Sequence, residues 1–445
     1  MYKTLIIGNG IAGVSCARWL RKNTDDEIQM VSQESEYFFS RTALMYVYMG
    51  HMRWQDLEPY ERSFWAKNKI DLLQGKVLSI DYELKIAYLE NEKTLAFDRL
   101  VLALGSKSNK FGWPGEDLEG VSGFYSKQDL EYIEQKSNNI KRAVIVGGGL
   151  IGIELAEMFH SRKIPVTILV RESEYWSSVL PPEEAAMISK HIRKNEIDLR
   201  LNCQLQSILG DQGQVNAIVT DQQEHIPCEF VGITAGVRPN IDLVKGSQLS
   251  TDKGILVDEY LQTNIPNVYA IGDCAQLTNV SKGRKAIEAI WYSGRQMGET
   301  LAANLSGNTK SYNPGIWFNS AKFFDIEYQV YGYVPSKIVA PFDSIYWEDP
   351  AGEKSIRLVY DLSNHQISGF NLMGVRFRHE VCEKWISQNS SIQEVLAKIR
   401  MAFFDPEFYP DYSSGILDAY FQKTGKKIIP KSSGKLNAVL NFLKS

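Results

Sequence analysis

Cysteine is scarce and scattered. The 445 residues hold five, at 16, 203, 228, 274 and 382, with no CxxC and no close pair. That argues against a disulfide scaffold and for a reducing compartment, so a cytoplasmic protein is expected. Long apolar runs are missing as well: no stretch of roughly 18 uncharged apolar residues occurs, which excludes a spanning helix. Charge of one sign is not in excess, with 49 Lys and Arg against 53 Asp and Glu and a net charge of −4. No global basic field exists to gather nucleic acid, so none is expected as a partner. The six histidines form no ligand cluster, and no metal is expected. What remains, 44% hydrophobic and 23% charged, is an ordinary globular mixture. At ~150 residues per domain the length suggests about three domains.

The amino-terminus has Lys3 and then an apolar run from Leu5 to Ala17, which looks superficially like a signal peptide. Gly8, Gly10 and Gly13 interrupt that run, and Arg18 and Arg21 follow it. Export has no use for spaced glycines, whereas a nucleotide-binding turn does. Thr4–Ile7 reads as a strand, Gly8 to Gly13 as the turn, the following residues to about Lys22 as a helix, and Ile28–Val31 as a second strand. The arrangement recurs: Ala143–Val146, then Gly147-Gly148-Gly149-Leu150-Ile151-Gly152, a helix to about Arg162, and Val166–Val170. In each turn the first glycine permits the tight bend, the second lets a pyrophosphate reach the backbone, and the third lets helix and strand pack closely. One such motif is a weak signal; two in matching context point to two bound dinucleotides.

Leu100–Gly105 reads as another buried strand, and Asn267 to Asp273 as a strand ending in a Gly-Asp pair. From about Ser311 aromatics and alternating strands take over, which reads as a separate α+β unit. The expected fold class is α/β, with two Rossmann-like βαβ dinucleotide-binding domains and a carboxy-terminal α+β domain.

Gly8 to Gly13, Gly147 to Gly152 with Glu154, and Tyr269-Ala270-Ile271-Gly272-Asp273 resemble the FAD- and NAD(P)-dependent pyridine-nucleotide-disulfide oxidoreductase superfamily. The resemblance implies that the first turn (Gly8, Gly10, Ile11, Ala12, Gly13) binds FAD and the second (Gly147, Gly149, Leu150, Ile151, Gly152) binds NAD(P)H. It implies that Gly272 and Asp273 return to the flavin. Ala103 and Gly105 match the family's Ala-Thr-Gly strand end, with Leu104 in place of Thr. The implied division is an FAD domain at 1–115 and 253–310, interrupted by an NAD(P) domain at 116–252. A carboxy-terminal domain at 311–404 and an extension at 405–445 follow.

Disulfide reductases of this family need a redox cysteine pair on the helix facing the flavin. The corresponding segment, Tyr37 to Leu44, has no cysteine. Ser40-Arg41-Thr42-Ala43-Leu44 instead is similar to the Arg-Pro-Pro-Leu-Ser-Lys stretch of ferredoxin and rubredoxin reductases. Arg41 is thereby implied to contact FAD, and Glu34 to hold its adenosine ribose. Tyr46 replaces the lysine that normally pairs with the acid at Glu154, while still offering one hydrogen bond. Cys16 and Cys274 are expected to be small buried hydrophobes. For the coenzyme, Arg171 favours NADPH and Glu172 favours NADH, so both forms stay open. Trp291 is expected on a helix approaching the isoalloxazine. Trp317, Phe318, Phe323 and Phe324 lie on the acceptor path or in the core, and His379 and Glu383 form a surface pair.

The expected activity is electron transfer from NAD(P)H to a separate acceptor, a small carrier of ferredoxin or rubredoxin type. The alternatives are a peripheral-membrane NAD(P)H:quinone oxidoreductase and a flavin-bearing redox sensor or interaction protein; a homodimer is compatible with each. Leu436, Val439, Leu440 and Leu443, flanked by Lys431, Lys435 and Lys444, suggest a basic amphipathic helix. It is expected to dock on the protein body, with membrane contact as the alternative.

Overall fold

The computed structural model describes residues 1–280, 284–404 and 409–430; the amphipathic tail pattern from Lys431 to Lys444 lies outside them. The chain gathers into two compact units. One comprises Met1–Leu169 and Cys203–Pro314; the other comprises Val170–Asn202 and the described residues from Gly315 onward.

The first unit contains two parallel sheets, each built on one of the apolar runs that precede a glycine turn. In the first sheet the strand order is Val268–Ala270, Arg99–Leu102, Lys3–Ile7, Glu27–Ser32 and Ile70–Gln74, all parallel. Leu5, Ile6, Leu100, Val101 and Leu102 are fully buried, as continuous apolar strands covered on both faces must be. One edge strand comes from residues 268–270, long after the others, so this sheet is assembled from chain segments on either side of the second one. The second sheet places Ala143–Val146 between Val166–Val170 and Phe230–Ile233, with Val121–Ser122 at its edge. Ser106–Ser108 and Val237–Pro239 pair antiparallel.

The helices Ile11–Asn23 and Leu150–Ser161 start directly after Gly10 and Gly149, whose extended backbones form the caps. Helix Trp291–Leu305 packs against Ile11–Asn23: a Cβ on Gly298 would fall 2.4 Å from the Ala12 carbonyl oxygen.

The second unit is organised by a five-stranded antiparallel sheet in the order Phe318–Phe323, Ile326–Gly332, Ile367–Met373, Ser355–Asp361 and Phe342–Glu348. Helices His379–Ser387 and Ile392–Ala397 share its apolar core. Helix Ser413–Thr424, in the extension expected after 405, contributes Ile416 and Tyr420 to that core. Helix Pro182–Lys194 belongs to this unit too, although the chain reaches it from the second parallel sheet. No described helix is long and apolar enough to cross a membrane.

Candidate functional site

The two glycine turns stand at the carboxyl ends of their strands with the same construction. Gly8 has φ +109°, and a Cβ there would come 2.1 Å from the Ala103 carbonyl oxygen. Gly147 has φ +129°, and its Cβ would come 2.7 Å from the Thr234 carbonyl oxygen. Any side chain at either position would drive the turn off the neighbouring strand end. The second glycine of each turn differs in kind, because a Cβ on Gly10 or Gly149 would meet nothing within 4 Å. Neither following helix has an acidic residue in its first turn. Open space before an uncompensated helix amino-terminus fits an incoming pyrophosphate, so both turns suit a dinucleotide.

Glu34 and Arg41 meet. The Arg41 guanidinium donates to both Glu34 carboxylate oxygens, at 2.8 and 2.6 Å, and to the Tyr125 carbonyl oxygen at 2.6 Å. It lies 4.4 Å over the Tyr125 ring. The Lys127 backbone N–H donates to Glu34 at 2.9 Å. Glu34 is thus a fixed carboxylate rather than a mobile loop acid. Tyr125 was not legible as a site residue, since nothing in its local sequence marks it beyond the capping box of the helix that follows, Ser126 with Asp129.

Tyr125 also links Arg41 to the Gly-Asp pair. The Ser106 N–H donates to the Tyr125 hydroxyl at 3.0 Å, and the Ser106 and Tyr125 hydroxyls donate to Asp273 at 2.9 and 3.4 Å. Burial raises the Asp273 carboxyl above its ordinary value, with the Ser106 bond acting against the shift. Burial likewise pushes Tyr125 up to about 12, so it remains a neutral donor at physiological pH. Gly272 packs on Ala12, against which a Cβ would fall at 2.9 Å, and its N–H donates to the Met297 sulfur at 3.3 Å. Gly272, Asp273 and the first glycine turn therefore form one locality, which also holds the start of helix Trp291–Leu305: a Cβ on Gly294 would lie 3.3 Å from Ile11.

Trp291 is the first residue of that helix, edge-on to Tyr292 at 5.4 Å. A buried ion pair precedes it. Arg284 Nε donates to Glu288 at 2.6 Å, a second guanidinium nitrogen to the other carboxylate oxygen, and the Ser293 hydroxyl to Glu288 at 2.8 Å. Their i, i+4 spacing was the available signal in the sequence. Tyr46 lies on helix Leu44–Tyr48, which packs on helix Leu150–Ser161 through Tyr48 and Phe159, 6.0 Å apart. Glu154, half-buried on the latter helix, has its carboxyl raised to about 7 by burial and then by the Glu157 charge.

Arg171 and Glu172 follow strand Val166–Val170 and pair with each other at 2.8 Å in the second unit. There His379 and Glu383 form their i, i+4 pair at 3.7 Å, with His379 edge-on to Phe318 at 4.7 Å. All five cysteines are buried, and none forms a disulfide.

The family model "Pyridine nucleotide-disulphide oxidoreductase" matches residues 2–298. The chain is 31% identical over 342 residues to an NADH oxidase of Methanocaldococcus jannaschii, covering 73% of this chain and 75% of that one. It is 27% identical over 308 residues to a rubredoxin-NAD(+) reductase of Pseudomonas putida, covering 68% and 80%. Among solved structures, the ferredoxin reductase for the CYP199A2 system from Rhodopseudomonas palustris superposes with a TM-score of 0.77 at 22% identity, over 94% of this chain and 99% of the other. The chain therefore belongs to the pyridine nucleotide-disulphide oxidoreductase family, whose members work with FAD and NAD(P)H, and it is an oxidoreductase.

Proposed function

We propose that this enzyme takes electrons from NAD(P)H and delivers them to a separate acceptor, a small electron-carrier protein of ferredoxin or rubredoxin type. The observation that carries the reading is the thiol inventory. All five cysteines are buried and in no disulfide, and none falls between Tyr37 and Leu44, so no side-chain disulfide stands ready to relay electrons to a disulfide substrate. FAD, when bound, supplies the exchange between a two-electron hydride donor and a one-electron acceptor.

The chain's own residues bind, orient and tune. Gly8, Gly10, Ile11, Ala12 and Gly13 would hold the FAD pyrophosphate, with Glu34 and Arg41 on the adenosine side and Ala103, Gly105, Gly272 and Asp273 toward the ribitol. Gly147, Gly149, Leu150, Ile151 and Gly152 would hold the coenzyme pyrophosphate, and Arg171 and Glu172 its ribose. In this reading the FAD domain comprises 1–115 and 253–310, and the coenzyme domain 116–252. The neutral form of Glu154 offers a donor near the nicotinamide without adding charge, Tyr46 adds a second hydrogen bond, and Trp291 supplies an apolar wall at the start of its helix.

Steady-state kinetics of the purified yellow protein test this, with NADH and NADPH each run against ferredoxin, rubredoxin, a quinone, oxygen and a disulfide. Carrier reduction at the highest kcat/KM is expected. Efficient disulfide reduction would sink the branch assignment, and absence of bound flavin the whole reading.

A further inference from the structure

The residues proposed to read the coenzyme ribose open a segment that is fastened to the antiparallel sheet of the second unit. Arg171 and Glu172 are followed by Tyr175, which is fully buried, and Trp176, which has φ +58°. Bulky residues adopt that conformation only where their surroundings hold it. The Trp176 ring lies 5.6 Å from Phe323 and 5.4 Å from Tyr328, and Tyr175 is edge-on to Phe323 at 6.4 Å. The Tyr175 N–H donates to the Ser189 hydroxyl at 2.9 Å, tying the loop to helix Pro182–Lys194.

That helix is clamped in turn. Arg357, on strand Ser355–Asp361, is buried and donates to both carboxylate oxygens of the fully buried Glu184, at 2.7 and 2.8 Å. It also donates to Glu183 at 2.7 Å and to the Ser344 hydroxyl at 2.8 Å. Asn371, on the neighbouring strand, donates to Glu184 at 3.0 Å. Four hydrogen bonds converge on this pair of helix carboxylates, three of them from one guanidinium, a geometry that fixes the helix in one position.

We infer that Trp176 and Arg357 are positioning residues for coenzyme binding: the carboxy-terminal sheet, through the Arg357–Glu184 clamp and the Trp176 contact, holds the loop that bears Arg171 and Glu172. This rests on the proposed role of those two residues. The sheet thereby sets the affinity for the coenzyme ribose without touching it.

Ferricyanide as acceptor removes any contribution from carrier docking. With the holoenzyme, Trp176→Ala is expected to raise the KM for NADH or NADPH about tenfold while kcat at saturating coenzyme and the flavin spectrum stay within about twofold. Trp176→Phe, which keeps a ring against Phe323 and Tyr328, is expected to recover most of the loss. Arg357→Met is expected to act in the same direction, and the milder Glu183→Gln to raise KM about twofold; if Arg357→Met does not fold, the Trp176 pair decides. Arg171→Ala and Glu172→Gln are run alongside. If these shift neither coenzyme's KM, the ribose assignment falls and the inference with it. If they do shift it and Trp176→Ala leaves KM unchanged, or if kcat falls with KM unchanged, the inference alone is overturned.

Discussion

At the scale of single residues, the unusual group is Glu154. Its ordinary value of 4.5 is raised to about 7, first by burial and then by Glu157. A raised carboxyl destabilises the folded state only when ionised, so the penalty is absent below 4.5, grows as pH rises toward 7 and is complete above it. Glu154→Gln should therefore stabilise the protein by roughly 1–3 kcal/mol near pH 8 and hardly at all near pH 4, read from denaturation curves at both. The same variant should flatten any inflection near neutrality in kcat/KM for the coenzyme. Gly8→Ala is a stringent backbone test. With its Cβ placed against the Ala103 carbonyl at positive φ, it should cost about 2 kcal/mol or more and leave the purified protein deficient in flavin absorbance.

At the scale of elements, the turns were legible because their chemistry is local: glycines at fixed spacing between an apolar strand and a helix. The partners of Arg41 were only half legible. Glu34 lies near in sequence, but the Tyr125 carbonyl that accepts from Arg41, and the Lys127 N–H that donates to Glu34, come from a distant segment whose sequence carries no mark of the meeting. Arg41→Lys keeps the charge and loses the paired bonds, so reduced flavin retention on dialysis is expected. The burial of the Arg284–Glu288 pair is not legible in its spacing, because an i, i+4 ion pair usually sits on the surface and is worth little. Here the side chains are only 10% and 5% exposed. Glu288→Ala should cost about 3 kcal/mol in thermal denaturation, and Arg284→Met with Glu288→Leu together should cost less than the single change.

At the scale of the whole molecule, the sequence motifs located the two parallel sheets, and the antiparallel unit followed from its change in composition. The membership of residues 170–202 was not legible. The expected coenzyme domain at 116–252 contains helix Pro182–Lys194, whose Glu184 is buried against Arg357 within the second unit. Apolar pattern reveals which face of a helix is covered but not by what.

That membership bears on how such proteins can be recombined. The family match ends at residue 298, which invites a splice just beyond it. A chimera that takes its carboxy-terminal part from a relative and keeps residues 170–202 would strand the Glu184 carboxylate without its guanidinium and Trp176 without its ring partners. Grafting 170–202 together with 315–430 should yield the better-folded hybrid, compared by soluble yield and melting temperature. The inheritable module is discontinuous, and its seam does not follow the motif boundaries.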